Sequence, residues 1–171
     1  VAIEADIGDE AAMTELLRSR KVEAVIHFAG SIVVPDSVRD PLGYYLNNTV
    51  KSRALAAAAV AAGVPHFIFS STAAVYGTPE GTEPVTETAR LSPESPYGSS
   101  KLMTEIMLRD TAAAHDFVYT ALRYFNVAGA DPRCRTGQST LGATHLIKVA
   151  GEAALGKRGH IDVYEIGRAH V

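Results

Sequence analysis

Two short apolar runs, VEAVIHFAG at residues 22–30 and VPHFIFSST at residues 64–72, flank a long alanine-rich stretch. Neither run alternates, and both end in small or polar residues. A strand covered on both faces reads this way. The stretch between them, GYYLNNTVKSRALAAAAVAAG, predicts one long helix closed by Gly63 as its C-terminal cap. The same rhythm runs along the chain. VAIEADI reads as a strand, and DEAAMTELLRSRK as a helix with Met13, Leu16 and Leu17 at helical spacing. YGSSKLMTEIMLRDTAAAH reads as a helix, VYTALRYFN as a strand, THLIKVAGEAALGKR as a helix and HIDVY as a last strand. Residues 77–96 hold four of the eight prolines and predict a long loop.

Strand–helix alternation of this kind predicts an α/β fold, a doubly wound parallel sheet with right-handed helical crossovers. Ligands of such sheets bind beyond the carboxyl ends of the strands. The stretches to inspect are therefore ADIGD, HFAGS, FSSTAAVYG and RYFNVAG.

The 171 residues are 47% apolar and 20% charged, enough for a real core in one globular domain. A net charge of −3 gives no basic footprint for nucleic acid. No window approaches a charge-free membrane span, and the longest greasy run, ALAAAAVAAGV, reads as a buried helix. The one cysteine, Cys134, excludes an internal disulfide and is followed by RTGQST, which has no metal-ligand spacing. That fits a reducing cytoplasm. The sequence opens on Val1 and reads as an internal piece of something longer, so targeting signals are left open.

SPYGSSK, residues 95–101, places Tyr97 four residues before Lys101, with Pro96 at a favourable first-turn position. The two side chains then share one helix face. A lysine ammonium beside a phenol favours the phenolate, which is what a general base for an alcohol proton needs. An exposed tyrosine beside a snorkelling lysine explains the pair equally well. FIFSSTAAVYG adds a strand that ends in Ser70, Ser71 and Thr72, hydroxyls that either orient a substrate hydroxyl or bond to local turn backbone.

Together these residues resemble the short-chain dehydrogenase/reductase superfamily. The resemblance is to its extended, nucleotide-sugar-modifying branch, and within that to the UDP-glucose 4-epimerase family. ADI, VIHFAG, PLGYYLNNTV, FIFSSTAAVYG, SPYGSSKLMTE, LRYFNVAGA and THLIKVA carry it, in the family's order, to about residue 164. The resemblance implies NAD as cofactor, UDP-galactose and UDP-glucose as substrates, and a homodimer. It makes Tyr97 the catalytic base, Lys101 its partner and a ribose contact, and Thr72 the hydroxyl partner. Asp6 and Ile7 match an adenine contact, although Asp6 also reads as a helix-capping residue. Phe28, Ala29, Gly30 and Asn48 match positions lining the cofactor; Gly30 also reads as an ordinary turn glycine. Phe125 matches a position beside the nicotinamide but reads equally as a core aromatic. Asn126, His145 and Leu146 match positions facing the nucleotide sugar, with His145 where the family usually has Asn.

The resemblance also has gaps. Ile32 stands where relatives often carry a lysine, and Val127 replaces a proline. The Gly-rich phosphate-binding turn has no counterpart. On this reading residues 1–130 are a NAD-binding domain without its first Gly-rich unit. Residues 131–164 begin the substrate-binding part, and residues 165–171 are a non-native tail. A sibling nucleotide-sugar dehydratase, decarboxylase, reductase or uronic-acid epimerase is the first alternative. Ala73 and Ala74, where dehydratases usually carry Asp-Glu, count against dehydration. A non-catalytic NAD-binding relative is the second.

Overall fold

The computed structural model describes residues 1–79, 81, 83–139, 142 and 145–161. The chain divides into two compact units, Val1–Tyr124 and Phe125–Val171.

The first unit contains α1 (Glu10–Ser19), β1 (Ala24–His27), α2 (Val34–Arg39), α3 (Pro41–Tyr44), a π-helical turn (Tyr45–Val50) and α4 (Lys51–Ala62). It continues with β2 (His66–Thr72), a 3₁₀ turn (Ala73–Val75), α5 (Pro96–Ala114) and β3 (Val118–Tyr124). The sheet is parallel, in the order β1-β2-β3, with Val25 beside Phe67 and Phe67 beside Tyr119. The expected parallel α/β architecture is present.

Local chemistry explains the boundaries. Asp9 caps α1 by accepting from the Ala12 N–H at 3.0 Å. Gly63 ends α4 at φ +72°, a left-handed conformation that glycine adopts without steric cost. Met13 and Leu17 of α1, the alanines and Leu55 of α4, Leu108 of α5, Phe117, and Phe67 and Phe69 of β2 form the core.

Three expectations need correction. VAIEADI is not a strand: residues 1–6 join no ladder, and a strand exists only by pairing with a neighbour. The β1 run is not covered on both faces. The core helices lie over the face carrying Val25, Phe67, Phe69, Tyr119 and Ala121, while Ile26, on the other face, is 60% exposed. The long helix is not uniform, because it opens into a π turn over Tyr45–Val50. Buried Asn48 lies in that turn, and its carbonyl accepts from the hydroxyls of both Ser52 and Thr104. Extra side-chain bonds of this kind favour the wider turn, and π turns are frequent at functional sites.

In the second unit, α6 (Leu146–Ala154) is shorter than the sequence predicts. Most of the expected last strand, and residues 165–171, lie outside the described residues.

Candidate functional site

The carboxyl ends of β1 and β2 meet the first turns of α5. Ser95 caps α5, its hydroxyl accepting from the Gly98 N–H at 3.1 Å, and Pro96 occupies the first turn. Tyr97 is half-buried there. A Cβ on Gly98 would lie 2.8 Å from the Ala74 carbonyl oxygen. The absence of a side chain at Gly98 thus lets the start of α5 press against the turn that follows Thr72. Thr72 itself is buried, and its Oγ1 accepts from the Ala74 N–H at 3.2 Å.

One turn after Tyr97, Lys101 is only 3% exposed. Its ammonium donates to the Ser70 carbonyl at 3.1 Å and stands 5.0 Å from the centre of the Phe69 ring. Burial lowers its pKa to about 8. Asn48 is buried beside it. Its Oδ1 accepts from the Ser31 N–H at 2.7 Å, and its Nδ2 donates to the Ser31 carbonyl at 2.9 Å and the Ser100 hydroxyl at 3.1 Å. Gly30 has φ +154°, and a Cβ there would lie 2.9 Å from Asn48 Oδ1 and 3.3 Å from Lys101 Nζ. Gly30, Asn48 and Lys101 therefore come together, as do Tyr97 and the turn after Thr72.

Of the remaining predicted residues, Asp6, Ile7, Phe28 and Ala29 belong to the first unit. Asp6 Oδ1 accepts from the Gly8 N–H at 2.8 Å, and Oδ2 pairs with Lys51 at 2.7 Å. The Lys51 hydrogen bond is the main cause of a lowered Asp6 pKa. Asp6, Ile7, Ala29, Asn47 and Lys51 line an open groove of about 580 Å³. Phe28 is 63% exposed. Phe125, Asn126, His145 and Leu146 belong to the second unit. Phe125 is exposed rather than a core aromatic, and Asn126 and Leu146 are exposed as well. His145 Nδ1 is buried, with no hydrogen-bond partner among the described residues.

Sequence reasoning missed most of the supporting shell. Ser31, Ser52, Ser100 and Thr104 orient Asn48, and Lys51 holds Asp6. His27 is 2% exposed, its Nε2 is 2.8 Å from the Ser52 hydroxyl, and its ring packs against Phe67 and Phe69. Burial first, and the Lys101 charge second, lower its pKa to about 4. One signal was available: Ser100 and Thr104 sit mid-helix at i and i+4, where hydroxyl residues are poor helix formers without a partner.

A parallel sheet with a hydroxyl, a tyrosine and a buried lysine gathered at its strand ends defines a Rossmann-type, ligand-binding protein. The chain belongs to the NAD dependent epimerase/dehydratase family, whose profile matches residues 2–170. It is 56% identical over 162 residues to a UDP-glucose 4-epimerase of Azospirillum brasilense, covering 95% of this chain and 46% of that protein. Its fold is similar to the NAD complex of UDP-glucose 4-epimerase from Brucella ovis, with a TM-score of 0.88 and 41% identity. That match covers 95% of this chain and 50% of the other. It is also similar to the UDP-Glc/GlcNAc 4-epimerase of Campylobacter jejuni, with a TM-score of 0.75 and 48% identity over 91% of this chain and 47% of the other. The chain thus spans about half the length of the relatives it matches.

Proposed function

We propose that this chain is the cofactor-side half of a UDP-glucose 4-epimerase that interconverts UDP-galactose and UDP-glucose with NAD. The observation that carries the reading is the buried Lys101 one turn from Tyr97, at the strand ends, beside a glycine whose missing side chain lets Asn48 and Lys101 close onto the backbone. The residues present fit the cofactor. Gly30 lets Asn48 and Lys101 gather at the strand ends, and the Asp6 groove offers a carboxylate and apolar walls to an adenine. Phe28 and Ala29 are exposed beside it, and Phe125, in the second unit, is exposed as well.

In this reading the Tyr97 phenolate takes the proton of the sugar 4-hydroxyl. Lys101, held by the Ser70 carbonyl, places positive charge beside that phenolate and reaches the ribose. Thr72 accepts from Ala74, which leaves its own O–H to donate to the reacting oxygen. NAD, when bound, supplies the hydride acceptor and donor at sugar C4, so there is no net redox change. The keto sugar turns between the two transfers while the UDP contacts hold it. Asn126, His145 and Leu146 receive the nucleotide sugar, and the exposure of Asn126 and Leu146 supports this. Residues 1–130 serve the cofactor, and residues 131–164 begin the substrate-binding part.

A homodimer fits the helix surface. Leu42, Leu46 and Val50 recur every four residues and are 79%, 55% and 52% exposed; Met103 and Ile106 on α5 are exposed too. Burying that stripe against a second copy removes it from water. Among the described residues no helix is long and apolar enough to cross a membrane, and Cys134 is a free thiol. Both fit a cytoplasmic enzyme.

The test is to incubate the full-length protein with UDP-galactose and follow UDP-glucose, watching for free NADH. Interconversion without NADH release supports the reading. No interconversion, with consumption of another nucleotide sugar, assigns a sibling activity. Silence with every nucleotide sugar assigns a non-catalytic relative. UDP-N-acetylglucosamine belongs in the series because the Campylobacter neighbour is named for that sugar as well.

A further inference from the structure

Tyr97, Lys101 and Glu105 stand at i, i+4 and i+8 on α5, one continuous stripe. The first two belong to the site just described, and the third does not. Glu105 is 6% exposed. It accepts from the Ser71 hydroxyl and receives the Arg123 guanidinium as a fork, with Nε at 3.2 and 3.1 Å from its two oxygens and Nη2 at 2.7 Å. Ser71 and Arg123 are direct neighbours in the β2–β3 register, so one carboxylate clasps both strands. Arg123 then reaches back. Its Nη1 donates to the Tyr76 hydroxyl at 2.9 Å and to the Glu87 carbonyl at 3.1 Å, and its guanidinium stacks over the Tyr76 ring.

Every arm of this cluster touches a segment that carries a reacting group. Ser71 directly precedes Thr72. Tyr76 follows the turn that begins at Thr72 and against which Gly98 packs. Glu87 lies in the loop that leads to SPYGSSK. A bidentate Arg–carboxylate fork fixes direction as well as distance, which a greasy contact in the same place does not. Burying a charged pair here is also a poor route to stability alone, since well-packed apolar residues often match it.

We propose that Glu105 and Arg123 are a positioning pair. They lock the axial register of α5 against β2 and β3 and thereby set the separation of the Thr72 hydroxyl and the Tyr97 phenol. This rests on the epimerase reading for its chemical consequence, but the mechanical claim concerns only this chain.

The test uses Ser71→Ala, Glu105→Gln and Arg123→Lys in the full-length protein, with two readouts. Amide hydrogen exchange is expected to rise at residues 73–79 and 92–101 and to stay unchanged in α1 and α4. Turnover of UDP-galactose, corrected for bound NAD, is expected to fall on the order of tenfold to a hundredfold with little change in KM, as misplacement of reacting groups requires. The isotope effect from deuterium at sugar C4 is expected to grow, because a misaligned donor makes hydride transfer limit the rate. A role in stability alone lowers the amount of folded enzyme and leaves that isotope effect where it was. Unchanged exchange at 73–79 and 92–101 in all three variants overturns the proposal. So does changed exchange with parental kcat and isotope effect. A parent that does not interconvert UDP-sugars overturns the functional reading instead, and the exchange data still decide the register claim. Ser71→Ala removes one hydroxyl and keeps the ion pair, so it guards against variants that fail to fold.

Discussion

Helices α4 and α5 help cover the same sheet face, but they bury opposite chemistries. α4 buries Ala54, Leu55, Ala56, Ala58 and Ala59, with Ser52 as the only polar member. α5 buries Gly98, Ser100, Lys101, Thr104 and Glu105, with Leu108 as its main apolar anchor. The first is a packing helix: small side chains let it sit close to Phe67 and Phe69, and nothing on its buried face needs a partner beyond Ser52. The second takes a lysine and a glutamate out of water, at a cost of several kcal/mol per ion before compensation. Selection for stability alone does not produce such a helix. The contrast supports placing the proposed site on α5.

The largest expected effect lies at the start of α5. Tyr97→Phe in the full-length protein removes the hydroxyl that the proposed mechanism uses as proton acceptor, while leaving the helix intact. Turnover should fall by about 10²–10⁴-fold with NAD still bound. Near-parental turnover removes α5 from the chemistry and collapses the contrast. Next, Glu105→Ala strands the Arg123 guanidinium, and chemical denaturation should show a loss of about 3–5 kcal/mol.

Acid should act through His27. Its folded pKa of about 4 lies below the unfolded value of 6.5, so the folded state favours the neutral ring. Stability is then fully present above about pH 6.5 and is lost as pH falls towards 4, by about 3 kcal/mol over that window. His27→Gln should flatten this part of the pH–stability curve, and an unchanged slope would assign the acid sensitivity elsewhere.

Lys101→Met should raise the melting temperature at pH 7, by about 1–3 kcal/mol of stability, while abolishing turnover. The folded state depresses the lysine pKa to about 8 from 10.5, so at neutral pH it holds a charge it disfavours. A lower melting temperature would mean that the Ser70 and Phe69 contacts outweigh that cost. Smallest of all, Lys51→Ala on α4 breaks only the exposed pair with Asp6 and should leave the urea midpoint where it is. A clear shift would show that the polar rim of α4 contributes more than its exposure implies.

Particular residues show how far the sequence could be read. The parallel α/β order was legible because apolar runs and helix-period stretches alternate. Tyr97 and Lys101 were legible as a pair because i and i+4 share a face, but their environment was not. Nothing in SPYGSSK states that Lys101 is buried while Tyr97 is only half-buried. Gly30 read equally as a turn residue until its position against Asn48 and Lys101 was known. VAIEADI failed as a strand for a related reason, since local pattern supplies propensity and not a ladder partner.

The sequence by itself determined the alternating elements, the cap at Gly63 and the helix face that Tyr97 and Lys101 share. All of these depend on neighbours within a few residues. Only the tertiary structure decided the π turn at Asn48, the neutral His27 behind Lys101, and the Ser71–Glu105–Arg123 clasp. Their hydrogen bonds join residues up to 56 positions apart, as in the bond from Thr104 to the Asn48 carbonyl. Their hydrogen bonds and desolvation exist only once separate elements have packed, and no local pattern of residues encodes them.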